Sequence, residues 1–469
     1  MFKVVLLNPP HAVPVQRRYM CSYNAQNMLL PPQELIALGG ILRHLQGVET
    51  FLIDAIAEKI NTNQLRGRLQ KIQPSLVISI QGFECFEEDM NELNAVKQHF
   101  PATTVAVFGH YSTVFPSEIL EKTKVDVVIR GEPDLIFKEL IEAFLLQKPL
   151  RQVAGIAFRE KETIVINDGE ARIKQPDKLP MPAYELLQAD KYFEPFLKAP
   201  FGLIQSARGC PYSCNYCVRS FGRKLTYRTP EQIIDEILYL KKQFGIRSLR
   251  FIDDTFTVQP ARVIEICKMM IEQNIELEWT CLSRLDSLKE EMLPWMKKSG
   301  CKRIYFGVES GSKKVLQFLN KEMDLDKAAA TIHSCKRHGI ETFGWFIVGA
   351  PNEDEEAFEE SIRFAIRADF DYIAVSELTV YPGTELYDKL RHSVQFSLLP
   401  YANNWNDPER VERNKKRERE FYQRFYFRRR YAVSKVKHAL NYPVEYFRNI
   451  IKLANYLAAP HQTKRADYF

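Results

Sequence analysis

The chain has 469 residues, of which 45% are hydrophobic and 26% are charged, a balance typical of folded globular proteins. This length exceeds one ordinary hydrophobic core, so we expect two or three domains. The sequence has no apolar run of about 18 residues, and its short apolar start lacks a signal-peptide cleavage site, so it predicts a cytoplasmic protein without a membrane span. The net charge is +6; residues 407–469 carry 16 Lys and Arg against 7 Asp and Glu, a balance of +9, which leaves −3 for the rest.

Residues 1–145 alternate helical patterns with short apolar runs that are typical of buried parallel strands: KVVLLN, SLVISI, TTVAVFG and VDVVIRG. This rhythm predicts an α/β domain with a doubly wound, Rossmann-like open sheet. Ligands of such sheets bind beyond the carboxyl ends of the strands. The candidate binding positions are therefore 8–10, 79–82, 109–113 and 131–132.

Residues 146–198 predict a two-stranded hairpin followed by a proline-rich linker. From 199 to 395 the alternation resumes, with six strand-like runs: GLIQSA, SLRFIDD, EWTCLS, RIYFGVE, TFGWFIVG and YIAVSEL. The first helix, TPEQIIDEILYLKKQF, opens with a Thr N-cap and a Pro at its first position. Six units are too few for a closed eight-stranded barrel, so the sequence predicts a partial (β/α)6 barrel with its site at the carboxyl ends of the strands.

Residues 396–469 are basic and aromatic, and they predict a helical C-terminal region. Such a region can bind nucleic acid or anionic lipid, and YPVEYFRNIIKLANYLAA is amphipathic enough for a membrane surface. The interpretation we favour is a helical cover over the mouth of the barrel. We expect no nucleic-acid partner, and contact with a membrane surface stays an open alternative.

The motif RGCPYSCNYC places Cys210, Cys214 and Cys217 at C-x₃-C-x₂-C spacing directly after the first strand of the second domain. Thiolates are suited to iron–sulfur clusters. Three cysteines with no nearby fourth leave one iron of a [4Fe–4S] cluster open to a non-protein ligand. A zinc site, which wants four closed ligands, and accidental spacing are the alternatives. The remaining cysteines are interpreted as small buried residues: Cys21, Cys85, Cys267, Cys281, Cys301 and Cys335.

With an aromatic Tyr216 before its last cysteine, this motif resembles that of the radical S-adenosylmethionine (SAM) superfamily, and the resemblance extends over about 200–390. It implies that the three cysteines hold a catalytic [4Fe–4S] cluster whose open iron binds the amino and carboxylate groups of SAM. It also implies that the cluster donates one electron, that SAM splits, and that a 5′-deoxyadenosyl radical takes hydrogen from the substrate.

The same resemblance implies a set of SAM-binding residues in the segments FIDDTF, CLSRLD, FGVESGS and GWFIVGAPNEDEE. Besides Tyr216 they are Asp253, Asp254, Ser283, Arg284, Glu309 and Gly349. A guanidinium at a strand end, as in Arg284, can pair with the SAM carboxylate. The structural alternatives are that Asp253 caps a strand and that Glu309 belongs to an ion pair.

The order of LNPP, PPQELIALGGILRHL, FGHYSTVFPSEIL and IRGEPDLIFKELI, within residues 1–190, resembles the cobalamin-binding module that precedes many radical SAM cores. The resemblance implies cobalamin contacts from Ser79, Gly82, Gly109, His110, Thr113, Gly131 and Glu132. One departure is that no D-x-H-x-x-G motif follows the first strand. We therefore predict cobalt without a histidine ligand on its lower face; a degenerate module without cobalamin is the alternative.

Together these resemblances imply a transferase that methylates an unactivated carbon of a small or lipid-like metabolite, served by an electron donor such as flavodoxin or ferredoxin. The alternative is radical ring formation or rearrangement, as in the anaerobic magnesium-protoporphyrin ester cyclase group, which this architecture also resembles. A non-catalytic corrinoid-binding protein is the alternative from another class, although a pure binder needs no open iron. A methylthiotransferase would need further N-terminal cysteines, which Cys21 and Cys85 alone do not supply.

Overall fold

The computed structural model describes residues 1–12, 15–18, 22–24, 28–83, 85–169, 173–219, 221–394, 405–431 and 433. The chain forms two compact units. The first comprises Met1–Phe193 and Val218–Arg228, and the second comprises Glu194–Cys217 and the described residues from Thr229 onward.

The strands, in chain order, are β1 Phe2–Asn8, β2 Val15–Arg17, β3 Ser22–Asn24, β4 Val48–Asp54, β5 Leu76–Ile80, β6 Thr104–Phe108, β7 Val127–Ile129, β8 Ile156–Glu160, β9 Thr163–Ile166, β10 Phe201–Ile204, β11 Ala207–Arg208, β12 Thr226–Tyr227, β13 Ser248–Phe251, β14 Glu278–Ser283, β15 Cys301–Glu309, β16 Glu341–Val348 and β17 Tyr372–Glu377.

The helices are α1 Gln33–Leu42, α2 Thr62–Ile72, α3 Phe86–His99, α4 His110–Val114, α5 Pro116–Lys122, α6 Pro133–Leu145, α7 Pro230–Phe244, α8 Pro260–Glu272, α9 Leu293–Lys298, α10 Lys313–Phe318, α11 Leu325–Arg337, α12 Glu355–Ala368, α13 Glu385–Leu390 and α14 Pro408–Tyr426.

The first unit is built on a seven-stranded sheet in the order β4-β1-β5-β6-β7-β8-β9. The first five of these strands are parallel, as the predicted doubly wound sheet requires. Strand β1 is fully buried from Val4 to Leu7 because both faces of a parallel sheet are covered, which is why the run is apolar without alternation. The predicted hairpin forms β8 and β9, and it extends this sheet by antiparallel pairing with β7.

The sequence did not reveal β4. It lies at the edge of the sheet, where only its last two residues, Ile53 and Asp54, are buried. An edge strand of this kind mixes polar and apolar residues, so it lacks the continuous apolar run that marks β1, β5 and β6.

The second unit contains six parallel strands in the order β10-β13-β14-β15-β16-β17, so each βα unit adds a strand beside the previous one. This arrangement agrees with the predicted partial barrel. Strand β16 alternates between fully buried residues such as Phe346 and partly buried ones such as Trp345, as expected for a strand with two different faces. Helix α7 has the predicted Thr229 N-cap, whose side chain accepts a hydrogen bond from the backbone of Gln232 in a capping box.

The structure confirms a helix in the C-terminal region, α14, over Pro408–Tyr426. Its N-cap is Asp407, whose carboxylate accepts from the backbone N of Arg410 at 3.1 Å. The predicted amphipathic segment YPVEYFRNIIKLANYLAA lies outside the described residues. In the parts of the chain that the structure describes, no helix combines the length and the apolarity needed to cross a bilayer.

Candidate active site

The cysteine-bearing loop follows β10 and is held by Asn215, which lies between Cys214 and Cys217. The backbone N of Asn215 donates to Leu319 O at 3.1 Å, and its side-chain Nδ2 donates to Phe318 O at 2.7 Å. Its carbonyl accepts from the backbone N of Leu386 at 2.9 Å. The loop is therefore fixed on the C-terminal end of α10 and the start of α13.

None of the three predicted cluster ligands forms a disulfide bond within the described part of the chain. Burial raises the pKa of Cys210 and of Cys217, and the negative charges of Asp254 and of the neighbouring cysteines raise both further. Cys210 Sγ lies 3.9 Å from Thr255 Oγ1. Metal binding needs the thiolate form, and partly buried thiolates whose charges act on one another are stable only when cations compensate their charge. Iron would supply that compensation, so the donor set fits a cluster.

Among the described residues, no three His, Cys, Asp or Glu side chains converge on one point where a single metal ion would be held. A [4Fe–4S] cluster makes no such demand, because each of its thiolates binds a different iron. Three cysteines on one fixed loop are therefore compatible with a cluster.

Arg284, at the carboxyl end of β14, lies against the cysteine loop. Its Nη1 donates to Cys214 Sγ at 3.3 Å, and its guanidinium carbon stands 3.8 Å from the centre of the Tyr212 ring. It is also paired with Asp286, with Nη2–Oδ2 at 2.6 Å and Nε–Oδ1 at 2.9 Å. Sequence reasoning found Arg284 but missed Asp286 and Tyr212, although Asp286 stands only two residues away in CLSRLD.

Glu309, at the end of β15, connects to the same loop through Tyr216. The Tyr216 hydroxyl is hydrogen-bonded to Glu309, and burial, reinforced by the charge of Glu309, raises the pKa of Tyr216 well above its ordinary value. Glu309 Oε1 also forms an ion pair with Lys321 Nζ at 2.8 Å, and Glu309 itself has a φ of 70°. The structure thus brings together Tyr216 and Glu309, two of the residues predicted to bind SAM. The structural alternative for Glu309, an ion pair, is also present. Lys321 had no signal in the sequence.

The two aspartates of FIDDTF differ. Asp253 is 1% exposed and accepts from the backbone N of Ser206 at 2.6 Å and of Ala207 at 3.0 Å, so it ties the end of β13 to the segment after β10. Asp254 is only partly buried, and its charge acts on Cys210 and Cys217. Of the two aspartates, Asp254 is the one whose charge raises the pKa of Cys210 and of Cys217.

Two further predicted positions lie at strand ends. Ser283 Oγ is 2.5 Å from Thr257 Oγ1, which links the end of β14 to the segment after β13. Gly349, directly after β16, has a φ of 83°, a conformation that favours glycine. Its backbone N donates to Glu353 Oε2 at 2.7 Å, and its carbonyl accepts from Arg410 Nη2 at 2.7 Å.

In the first unit, three of the predicted cobalamin positions meet through Thr113. Its Oγ1 donates to Gly109 O at 3.2 Å and accepts from the backbone N of Gly131 at 2.9 Å, which joins the ends of β6 and β7. Gly109 has a φ of 142°, and a β-carbon there would lie 3.0 Å from both Gln81 Cγ and Gln81 O. Gln81 is 1% exposed, and its Nε2 has no hydrogen-bond partner within the described part of the chain. Gln81 lies within the candidate range 79–82 but was not among the individual residues predicted to contact cobalamin.

A buried ion pair that was not predicted from the sequence holds Gly82 in place. Its backbone N donates to Asp89 Oδ2 at 2.9 Å, and Asp89 pairs with Arg17 at 2.6 Å, both side chains being fully buried. Arg17 also donates to Asn8 Oδ1 at 2.9 Å, at the end of β1. The carboxyl ends of β1 and β5 are therefore fixed to one another.

The other three predicted positions differ in exposure and role. Ser79 lies inside β5, fully buried, and donates to Ile80 O at 3.1 Å. His110 is 8% exposed at the first position of α4, and Glu132 is 3% exposed as the residue before α6.

Comparison with known proteins identifies the class. Residues 204–365 match the model of the radical SAM superfamily, so this segment is a radical SAM domain, which is consistent with an enzyme. The domain implies a [4Fe–4S] cluster and SAM as cofactors.

The relatives narrow the comparison. The chain is 29% identical over 409 residues to an uncharacterised methyltransferase of Pyrococcus horikoshii, which covers 86% of both chains. It is 26% identical over 374 residues to the anaerobic magnesium-protoporphyrin IX monomethyl ester cyclase of Cereibacter sphaeroides, covering 78% of this chain and 61% of the cyclase. Among solved structures it resembles the radical SAM methyltransferase TsrM of Kitasatospora setae with cobalamin and a [4Fe–4S] cluster bound. That likeness has a TM-score of 0.65 over 84% of this chain and 75% of TsrM, at 16% identity, so the two share a fold.

Proposed function

We propose that this chain is a cobalamin-dependent radical SAM methyltransferase that acts on an unactivated carbon of a small or lipid-like metabolite. The observation that carries the proposal is the 3.3 Å contact between Arg284 Nη1 and Cys214 Sγ. This contact fixes a cation, the Arg284 guanidinium, beside the three-cysteine loop. A substrate carboxylate can pair with the guanidinium there. Support for methylation comes from the similarity to the Pyrococcus methyltransferase.

In this proposal Cys210, Cys214 and Cys217 hold the cluster, which, when bound, supplies the electron that splits SAM into methionine and the 5′-deoxyadenosyl radical. Arg284 pairs with the SAM carboxylate while Asp286 keeps the guanidinium oriented. Asp254 accepts from the SAM amino group, because the charge of its carboxylate already acts on two of the three cysteines. Asp253 is a structural residue that fixes the end of β13.

The first unit is proposed to hold cobalamin, which would supply the methyl group to be transferred. One observation shows that the residues fit this ligand: the buried Gln81 Nε2 is a donor that a corrin amide oxygen would satisfy. Gly109 lets the end of β6 pack closely against Gln81, because a β-carbon there would lie 3.0 Å from both Gln81 Cγ and Gln81 O. Without a D-x-H-x-x-G motif, we propose that no histidine ligates the lower face of cobalt.

The lower-face proposal is tested by paramagnetic resonance of protein-bound cob(II)alamin. We expect a spectrum without nitrogen hyperfine splitting. A spectrum with splitting that disappears in His110→Ala or His11→Ala would show that a histidine binds cobalt.

A second candidate function, radical ring formation, is favoured by the similarity to the magnesium-protoporphyrin cyclase over 78% of this chain. The two reactions differ in what becomes of SAM. Methyl transfer yields both 5′-deoxyadenosine and S-adenosylhomocysteine, whereas ring formation yields 5′-deoxyadenosine without S-adenosylhomocysteine. A corrinoid-binding protein without catalysis would yield neither.

The deciding experiment is anaerobic purification and reconstitution, followed by incubation with SAM and a reductant. We expect about four irons per chain, bound cobalamin and both SAM-derived products. The matched control is the triple variant C210A/C214A/C217A, which should lose the iron, its visible absorption and 5′-deoxyadenosine formation. Retention of the cluster absorption in that variant would overturn the assignment of the ligands.

An oxygen-sensitive cluster that needs electrons supports two further proposals: a cytoplasmic location, and a reduced flavodoxin or ferredoxin as electron donor. Reduction of the cluster by such a donor, measured by bleaching of its absorption, tests the second. Contact of the basic C-terminal region with a membrane is tested by sedimentation with anionic vesicles.

A further inference from the structure

Helix α14 holds both ends of the loop that follows β16. Arg410 Nη2 donates to Gly349 O at 2.7 Å, and Arg417 Nη1 donates to Glu353 O at 3.1 Å and to Glu353 Oε2 at 3.2 Å. The same Oε2 accepts from the backbone N of Gly349 at 2.7 Å, which closes the loop on itself. Two arginines, separated by about two helical turns, thus fix one turn of backbone from a single helix face.

The middle of this face is occupied by Asn414. It is fully buried, and its Nδ2 donates to Glu377 Oε1 on β17 at 2.7 Å. A β-carbon on Gly349 would come within 2.3 Å of that Nδ2, so the helix touches the glycine directly. Arg410 is itself held by packing of its guanidinium 3.8 Å from the centre of the Trp405 ring.

Two buried acceptors beside Gly349 are left without a donor in the described part of the chain: Glu353 Oε1 and Asn414 Oδ1. The Glu353 side chain is fully buried, and buried polar atoms are normally hydrogen-bonded. A ligand that brings a hydrogen-bond donor to this turn would satisfy them, and SAM carries amino groups. These two oxygens are an independent sign that the loop meets a ligand.

We infer that Arg410, Asn414 and Arg417 of α14 are positioning residues for SAM, which act by holding the turn Gly349–Glu353 in the conformation that SAM meets. This inference rests on the proposed contact between Gly349 and SAM. Helix α14 is then part of the SAM site, although it lies about 60 residues after the turn that follows β16. Its contacts with this turn go beyond what the packing of a covering helix requires.

The test uses the reconstituted full-length enzyme and the variants Arg410→Gln and Arg410→Lys. Loss of a charge-assisted bond to Gly349 O should raise the Kd and the KM for SAM roughly 10- to 100-fold, while iron content and the kcat for 5′-deoxyadenosine formation stay near those of the wild type. Lysine should restore part of the affinity, because one ammonium N–H can still reach a single carbonyl. The matched control is Arg424→Gln on the same helix, since the partners of Arg424 among the described residues are Glu359 and Glu420, away from the turn after β16.

The outcomes separate the inference from the proposed function. If the wild-type enzyme itself binds no SAM, the proposed function fails. If the wild type binds SAM and Arg410→Gln binds it equally well, or if Arg424→Gln weakens it as much, the inference fails alone. Should Arg410→Gln not fold, Arg417→Lys, which keeps the charge but not the paired contacts to Glu353, provides the same readout, with unchanged SAM affinity overturning the inference.

Discussion

The hydroxyl of Tyr422 bonds to both backbone groups of Val375: it accepts from the N at 2.9 Å and donates to the O, 3.3 Å away. Tyr426, one helical turn later, does the same at Ile373, with distances of 2.9 Å and 2.8 Å. Four residues of helix rise about 6 Å and two residues of strand about 6.6 Å, so tyrosines at this spacing match the outward-facing groups of a strand. Strand β17 ends the second sheet, and α14 thereby closes an edge that would otherwise be open to pairing.

Replacing Tyr422 by Phe should destabilise the second unit by about 1–3 kcal/mol, because two buried backbone groups of Val375 lose their partner while the ring stays in place. Tryptophan fluorescence during urea unfolding measures this, since all four tryptophans belong to that unit. The control is Tyr239→Phe, whose hydroxyl forms no hydrogen bond with the described residues; it should change stability by less than about 0.5 kcal/mol. Equal stability of both variants would contradict the edge-sealing role.

The sequence predicted the parallel sheets and the cysteine loop because their signals are local. Buried parallel strands such as β1 and β5 are continuous apolar runs, and the cysteines stand within eight residues of one another. The contacts that shape the sites are not local. Arg17 contacts Asp89, and Arg410 contacts Gly349, only in the folded chain. The spacing of the two residues along the sequence does not predict the contact in either pair.

The edge strand β4 also shows how far local sequence patterns predict the fold. Most of its residues are not buried, so the apolar run that marks a buried strand is weak in this segment. Among the predicted SAM positions, burial separated Asp253 from Asp254, although the two aspartates are adjacent and equivalent in sequence terms. The local sequence pattern predicts at which strand ends a site lies. Long-range packing determines which of the side chains at those strand ends is buried and which is accessible.

Arg284→Gln should weaken SAM binding by roughly 1.5–3 kcal/mol, because it removes the cation that is proposed to pair with the SAM carboxylate. Iron content should persist, since the cysteines remain. Titration of the reconstituted variant with SAM, monitored by calorimetry, measures the change. Arg337→Gln is the matched control, because within the described ranges Arg337 forms a single ion pair, an exposed one with Glu290. Unchanged SAM affinity in a cluster-bearing Arg284→Gln enzyme would remove Arg284 from the site.

Gly109→Ala should weaken cobalamin binding at least tenfold, because the new methyl group meets Gln81 at 3.0 Å and an alanine is strained at a φ of 142°. Equilibrium dialysis of hydroxocobalamin against the purified protein measures the affinity. The control is Gly67→Ala in α2, where nothing lies within 4 Å of the added carbon. That variant should bind cobalamin as the wild type does and gain about 0.5–1 kcal/mol from the better helix former. Equal binding by Gly109→Ala would argue against a ligand at this strand end.

Asp54, at the end of β4, makes the stability of the first unit depend on pH. It is 3% exposed, and burial raises its pKa above the ordinary value even though Ala57 N, Tyr192 Oη and Asn8 Nδ2 all donate to it. Since the folded-state pKa is the higher one, the folded state holds the proton more tightly. The contribution of Asp54 to stability is therefore complete below the unfolded-state pKa of about 3.9 and is lost as the pH rises through the folded-state pKa.

An Asp54→Asn variant cannot ionise at this position, so its stability relative to the wild type should increase as the pH rises above the unfolded-state pKa of about 3.9. Because the tryptophans all lie in the other unit, amide hydrogen exchange of β1, Phe2–Asn8, is the suitable measurement, with both proteins compared at each pH. The lost or altered hydrogen bonds add an offset that does not vary with pH, so only the slope is diagnostic. A constant difference would mean that the pKa of Asp54 is the same in both states, and a difference that falls with pH would mean that its hydrogen-bond donors outweigh burial.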